Sequence, residues 1–349
     1  MSAISLFAGA GGDTHGLENA GLKVIAFSEN NKDAIKTHLK MFPQSKWLGE
    51  TVKGDISKIQ DSEFEEHSGK IKLIFAGFPC QGFSNAGKKD VNDPRNKMFY
   101  QFLRAVKLIQ PDWIMGENVA GLLTKKTDDG ESSVIEVIKK EFEDIGYSIA
   151  YKVYDVSTVG VPQSRKRLLI VGNRLNINFA MPDFKLQKQG ISGIVEETLD
   201  GAIECELNPP EHCIVKLTEQ KNVTGTPHPY LVKKLTENLI SFGKRDSPHH
   251  AEVLDLRKPS KTIICAYTFQ PRLYVCLETP DKKKYIRCLT TKELGQIQGF
   301  PADHEFAGNK QSIIKQIGNA VPAKLVELVV REMLGSEPLP KTASRKTRK

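Results

Sequence analysis

Apolar residues in the first half of the chain come in short runs, separated by stretches whose apolar positions recur at helical spacing. The runs AISLFA, KVIAFSE, IKLIFAG, DWIMGEN, YSIAYKVYDV and KRLLIVG predict strands. The stretches between them predict helices over about 14–21, 31–41, 96–110 and 131–145. Alternation of this kind predicts an α/β fold with a mostly parallel sheet covered on both faces. Ligands in such sheets gather at the carboxyl ends of the strands.

The alternation stops near Gly172. From 175 to 285 the chain is irregular, with prolines at 182, 209, 210, 227, 229, 248, 259 and 271 and strand-like pieces KTIICAY and RLYVCL. This region reads as a smaller β-and-loop domain. Helical periodicity returns in TTKELGQIQGF and in SIIKQIGNAVPAKLVELVVREML, which predicts one long amphipathic helix after a turn. The expected division is 1–174, 175–285, a return to the first domain over 286–335, and a basic, disordered tail over 336–349.

Composition narrows the picture modestly. The 349 residues are 26% charged and 39% hydrophobic, an ordinary soluble balance. No apolar run approaches the roughly 18–20 residues of a membrane span, and the N-terminus lacks the features of a secretory signal, so the protein is expected inside the cell. The net charge of +8 suggests a polyanionic partner. Five of those charges lie in the tail KTASRKTRK, leaving +3 on the rest, so basicity alone is weak support. The six cysteines form no CxxC pair and no disulfide framework. Cys205 and Cys213, with His212 between them, match no common zinc spacing, and no metal is expected.

Candidate chemistry sits at the predicted strand ends. The first strand runs into Phe7-Ala8-Gly9-Ala10-Gly11-Gly12, where glycines let backbone approach a ligand ahead of a helix. It lacks the Lys-Ser/Thr of a phosphate-binding loop, which argues against ATP. Glu29 closes the second strand, where an acid can hold ribose hydroxyls, and Asp55 sits where a third would end. Each acid alone reads as a solvated loop residue; in series with the glycine turn they describe an adenosine site. The segment GFPCQGFS places Cys80 after Pro79 at a fourth strand end, as a nucleophile or a small core thiol. Glu117, in DWIMGENV, projects from the same edge. Gln163-Ser164-Arg165-Lys166-Arg167 carries two arginines that fit either a solvated face or an anion clamp.

Taken in order, these segments resemble the DNA cytosine-5 methyltransferases of the bacterial and viral modification type. The matching features are the F-x-G-x-G-G turn, Pro79-Cys80, Glu117-Asn118-Val119, Gln163 to Arg167, a variable region and Gly318-Asn319-Ala320-Val321. Arg287-x-Leu289-Thr290-x-x-Glu293 and Gln298-Gly299-Phe300-Pro301 match as well. The resemblance spans about 1–172 and 286–330.

It implies a Rossmann-like fold binding S-adenosyl-L-methionine, with S-adenosyl-L-homocysteine as product. It also implies a target-recognition domain over 175–285 and methylation of a flipped-out cytosine. Cys80 would be the nucleophile, with Pro79, Glu117, Asn118, Gln163, Arg165 and Arg167 completing the catalytic set. Phe7, Ala8, Gly9, Gly11, Gly12, Glu29, Asp55, Ile56, Pro79, Asn319 and Val321 would hold the cofactor. The loop from Gln81 to Asn96 reads as a lid over the flipped base.

The implied partner is double-stranded DNA, bound by a monomer, with a cognate restriction endonuclease acting separately. Candidate DNA contacts are Ser84, Lys88, Lys89, Arg95, Arg245, Arg257 and Arg272, the arginines because guanine is their commonest specific target. Two readings compete. A tRNA cytosine-5 methyltransferase would share the motifs, but its nucleophile loop usually reads P-P-C-Q-P-F where this chain has Phe78-Pro79-Cys80-Gln81-Gly82-Phe83. An inactive nucleic-acid-binding regulator would not need Cys80, Glu117, Arg165 and Arg167 intact. A thiol enzyme with a catalytic histidine finds only His15 in these segments.

Overall fold

The computed structural model describes residues 1–79, 97–126, 133–229, 231–232, 252–269 and 271–337. Cys80, Ser84, Lys88, Lys89, Arg95, Arg245, the expected lid and all but the first two residues of the expected tail lie outside them.

Seven strands form the large sheet in the order β3-β2-β1-β4-β5-β8-β6. They are β1 (Ser2–Leu6), β2 (Lys23–Ser28), β3 (Lys46–Trp47), β4 (Leu73–Ala76), β5 (Trp113–Val119), β6 (Ser148–Asp155) and β8 (Lys166–Asn173); β7 (Gln163–Ser164) lies outside this sheet. All pairings through β5 are parallel, while β8 runs antiparallel to β5 and β6. The exception follows from the connection. No α-helix separates β6 from β8, only a 3-10 turn over Val156–Val159 and β7, so the chain folds back antiparallel beside β5. Strand order reverses between β1 and β4, the topological switch point at which α/β sheets hold ligands.

Both faces of the sheet are covered, as expected. On one side, α3 (Asp61–Glu65), α4 (Lys97–Ile109) and α5 (Val134–Glu143) bury Phe64, Phe102, Val106, Ile138 and Phe142 against Ile4, Ile74 and Ile114. On the other, α1 (Gly12–Asn19) and the C-terminal α8 (Ala323–Gly335) pack Leu17, Leu325, Val326 and Val329 against Ala3, Leu73 and Met115. Between β2 and β3 runs α2 (Lys32–Met41), whose first amides are capped by the Asn31 side chain.

The 175–285 region is largely irregular with a small sheet of its own, as its prolines suggest. β10 (Ile214–Lys216), β13 (Leu273–Glu278), β14 (Lys284–Cys288) and β9 (Ile203–Glu204) pair in that order, and β11 (Glu252–Val253) joins β13. β12 (Ser260–Lys261) instead pairs with β7 in front of the large sheet, stitching the two regions together.

The C-terminal segment departs from the expectation of one long helix. The single long helix is two, α7 (Lys310–Asn319) and α8, following α6 (Thr291–Gln298). Pro322 supplies the break, because the residue before a proline is driven out of helical geometry, and Ala320 is extended at ψ 149. Moreover, α6 and α7 share a hydrophobic core with the small sheet through Leu294, Ile297, Ile314 and Ile317. α7 also bonds α2 of the first region through Gln316 and Ser312, and from Val321 onward the chain packs on the large sheet.

Candidate active site

The carboxyl ends of β1, β2, β4 and β5 open into a cavity of about 430 Å³. Phe7, Ala8, Gly9, Glu29, Asp55, Ile56, Pro79, Glu117, Asn118, Arg165, Arg167, Asn319 and Val321 line it, so residues far apart in sequence converge on one space.

The turn after β1 is shaped by backbone geometry. Phe7 has φ 57, unusual for a bulky residue and worth about 1–3 kcal/mol of strain. The amides of Phe7 and Ala8 are held by the Ser28 hydroxyl and carbonyl. Gly9, at φ 53, faces open space. Gly11 and Gly12 do not line the cavity; they allow close packing. A Cβ on Gly12 would fall 2.3 Å from the Val321 carbonyl oxygen, and one on Gly11 2.4 Å from the Phe42 ring. Gly12 lets the start of α1 meet the Ala320–Val321 segment, and Gly11 lets the turn approach the end of α2.

Glu29 follows β2 and accepts from the amides of Gly9 (2.9 Å), Asn30 (2.9 Å) and Asn31 (2.8 Å). A carboxylate offers about four lone-pair sites, so acceptor capacity remains for hydroxyls. Asp55 is not at a strand end, since β3 finishes at Trp47. It caps a single 3-10 turn, accepting from Ser57 and pairing with Lys58 at 2.8 Å. The Lys58 bond, with help from Ser57, holds its carboxyl below the usual range.

Glu117 and Arg167 form the charged centre. They stand on adjacent antiparallel strands, and Arg167 Nε meets Glu117 Oε1 at 2.7 Å. Glu117 is 8% exposed. Burial pushes its carboxyl upward, and Arg167 followed by Arg165 oppose the rise. Arg165 is 2% exposed and donates to the carbonyls of Ile263 (3.0 Å) and Gly318 (2.7 Å). Burial, then the neighbouring Arg167, lowers its pKa, yet a guanidinium stays cationic at neutral pH.

Asn118 donates to the Phe78 carbonyl at 3.1 Å, and Phe78 is anchored among Phe99 and Phe102, which fixes the root of the loop at Pro79. Gln163 does not line the cavity. It donates to Gln298 Oε1 (2.7 Å) and accepts from the Ile263 amide (3.0 Å), locking the arginine segment to the 175–285 region and to α6. Its position is that of a brace rather than of a group facing substrate.

Sequence reasoning missed the α7 face. Ser312, Lys315 and Gln316 border the cavity beside the expected Asn319. Their spacing of three and four residues, read back from the GNAV segment, was the available signal. Also missed was Asp13, buried beneath the glycine turn and bonded to the Ser5 hydroxyl. Burial carries it from the ordinary 3.8 up to about 7.

Two DNA candidates fall within the described residues. Arg257 is chelated by Asp255, which it contacts at 3.1 Å and 3.2 Å, and Arg272 immediately precedes β13. Neither borders the cavity. His15 packs against Phe42 and bonds His304 at 2.9 Å; among the described residues no histidine lines the cavity. The described residues contain no cluster of three or more His, Cys, Asp or Glu able to hold a metal ion. Nor do they include a helix long and apolar enough to cross a membrane.

Comparison with known proteins gives this constellation its family. The model of the family described as C-5 cytosine-specific DNA methylase matches residues 1–335. The chain is 33% identical to the Type II methyltransferase M.PspPI of Psychrobacter sp., over 93% of this chain and 76% of that one. It is 29% identical to the Type II methyltransferase M.FnuDI of Fusobacterium nucleatum, over 95% and 94%. Among solved structures, the S. pombe Dnmt2 methyltransferase superposes with a TM-score of 0.67 at 17% identity, covering 96% of this chain and 98% of that one. That likeness speaks for the fold. The chain belongs to the C-5 cytosine-specific DNA methylase family and is a DNA cytosine-5 methyltransferase.

Proposed function

We propose that the protein uses S-adenosyl-L-methionine to methylate carbon 5 of a cytosine turned out of a specific duplex sequence, through a covalent bond to Cys80. The observation that carries the reading is the meeting, in one cavity, of Pro79 at the root of the cysteine segment, the Glu117–Arg167 pair and the Gly9–Glu29 turn.

When bound, the cofactor supplies an electrophilic methyl group. The cavity suits an adenosine carrier: Phe7 offers a ring face, Gly9 an open approach, Glu29 spare acceptor sites and Asp55 with Ile56 an edge for adenine. Gly11 and Gly12 support that turn from beneath, while Asn319 and Val321 close it from the C-terminal segment.

The chemistry of cytosine sets the remaining roles. Carbon 5 is a poor nucleophile until a thiolate adds to carbon 6, which makes it enamine-like. Glu117 would bond ring nitrogen 3 and the exocyclic amine as charge develops there. Arg167 holds Glu117 in place, and Arg165 ties the segment to Ile263 and Gly318. Once carbon 5 carries the methyl group, a water-derived base would take its proton, the C–H electron pair re-forming the 5,6 double bond as the thiolate of Cys80 leaves.

Residues 175–285 are proposed to read the target, with Arg245, Arg257 and Arg272 first among its candidates. Residues 1–174 and 286–335 are proposed as the catalytic part. The enzyme is proposed to act as an intracellular monomer beside a separate cognate endonuclease. A trapping experiment tests the covalent step. Duplex DNA carrying 5-fluorocytosine has no proton to lose at carbon 5, so the adduct should survive denaturation. A denaturation-resistant complex is expected with wild type and not with Cys80→Ala; the same complex in both would remove Cys80 from the mechanism.

A further inference from the structure

The charges around the cavity are nearly all matched within the protein. Of its acids, Glu29 accepts three backbone amides, Asp55 pairs with Lys58, and Glu117 pairs with Arg167. Of its cations, Arg167 is held by Glu117, and Arg165 donates to two backbone carbonyls. Lys315 is different. It borders the cavity on the exposed side of α7, and among the described residues no carboxylate or carbonyl meets its ammonium.

The helix that carries it is fixed. Gln316 accepts from the Thr37 hydroxyl at 2.7 Å and donates to the Ala307 carbonyl at 2.8 Å. Ser312 donates to Asp33 at 2.6 Å. These bonds clamp α7 to α2 on either side of Lys315, so its stem leaves the helix at a set point on the rim. One turn further on stands Asn319, at the point where the chain turns toward the glycine turn.

We propose that Lys315 binds the carboxylate of the cofactor's amino-acid end and so orients the methionine arm along the α7 wall. The assignment rests on the reading of this cavity as the S-adenosylmethionine site. It follows from charge matching, because the carboxylate is the ligand's one anionic group and Lys315 the cavity's one unopposed cation among the described residues. Lys315 is a positioning residue. It takes no part in bond making, and a lysine at a solvated rim adds affinity on the scale of an exposed ion pair.

Isothermal titration with S-adenosylhomocysteine and with its decarboxylated analogue separates the possibilities. Lys315→Gln should weaken S-adenosylhomocysteine by roughly two- to fivefold, leave the analogue's affinity unchanged, and leave the thermal unfolding midpoint in place. Lys315→Arg should restore most of the loss. Equal weakening of both ligands, or of neither, overturns the proposal while the cofactor reading stands. Failure of wild type to bind S-adenosylhomocysteine overturns the cofactor reading itself.

Discussion

Replacing Glu117 by Gln removes one charge from the centre of the cavity while keeping a side chain of the same shape. The amide carbonyl can still accept from Arg167, which also donates to the Lys166 carbonyl at 2.8 Å. Because burial already raises the Glu117 carboxyl, part of the attraction to Arg167 is offset by desolvation. The net stability change should therefore be small, about 1–2 kcal/mol at most. The catalytic loss should be larger. An acid–base group in the transition state is worth roughly 10²- to 10⁴-fold, or about 3–5 kcal/mol. Single-turnover methyl transfer, urea unfolding and binding of S-adenosylhomocysteine would be measured on the same preparation. The expected pattern is a collapse in rate with nearly unchanged stability and ligand affinity. Arg167→Ala should lower rate and stability together, because it releases Glu117 and strands a buried carboxylate, at a cost of about 3–5 kcal/mol in stability. A Glu117→Gln enzyme within threefold of the wild-type rate would refute the role assigned to that carboxylate.

Cys80→Ser should abolish methyl transfer and leave S-adenosylhomocysteine affinity intact; lost affinity would mean that the cofactor and nucleophile positions are not separate. Gly12→Ala should force the Val321 carbonyl away from α1, lowering stability by about 1–3 kcal/mol and weakening cofactor binding, as read by thermal unfolding and calorimetry. Stability should also depend on pH with two opposing signs. His38 and His304, each lowered by burial from 6.5 to about 3, add stability above the unfolded value that is lost as pH falls from 6.5 toward 3. Asp13, raised from 3.8 to about 7, acts oppositely, its contribution being lost as pH rises through that interval. Asp13→Asn should therefore steepen the acid-side fall by about 1.4 kcal/mol per pH unit, measured from urea midpoints between pH 4.5 and 6.5; an unchanged slope would mean that Asp13 is ionised in the fold.

Much of this arrangement was legible in the chain. The apolar runs gave the central strands because a buried parallel strand must be apolar on both faces. Helix α6 was legible from the periodicity of TTKELGQIQGF, and in the fold the Thr290–Glu293 capping box and Gly299 at φ 102 bound it. What the pattern hid were matters of close approach. SIIKQIGNAVPAKLVELVVREML keeps its helical periodicity across the break, so hydrophobic spacing alone could not reveal that Ala320–Pro322 must be extended beside α1. Gly12 looks like a ligand-binding glycine in sequence, and Gly318 enters only as part of the Gly318–Val321 segment. In the fold, a Cβ on Gly318 would meet the Cys265 backbone at 2.6 Å, so its lack of a side chain serves the junction between regions. Gln163 and Asp13 were hidden similarly, because their partners lie in segments whose proximity only the tertiary fold creates.

The central claim is methyl transfer to DNA cytosine through Cys80, and its most direct test is transfer of labelled methyl groups from S-adenosylmethionine. Duplex DNA and tRNA would be offered separately to wild type and to Cys80→Ala, and the labelled bases mapped. Label at carbon 5 of cytosines in one recurring DNA sequence, absent with Cys80→Ala, is the predicted result. Label confined to tRNA, or label in DNA that persists in the variant, would contradict it.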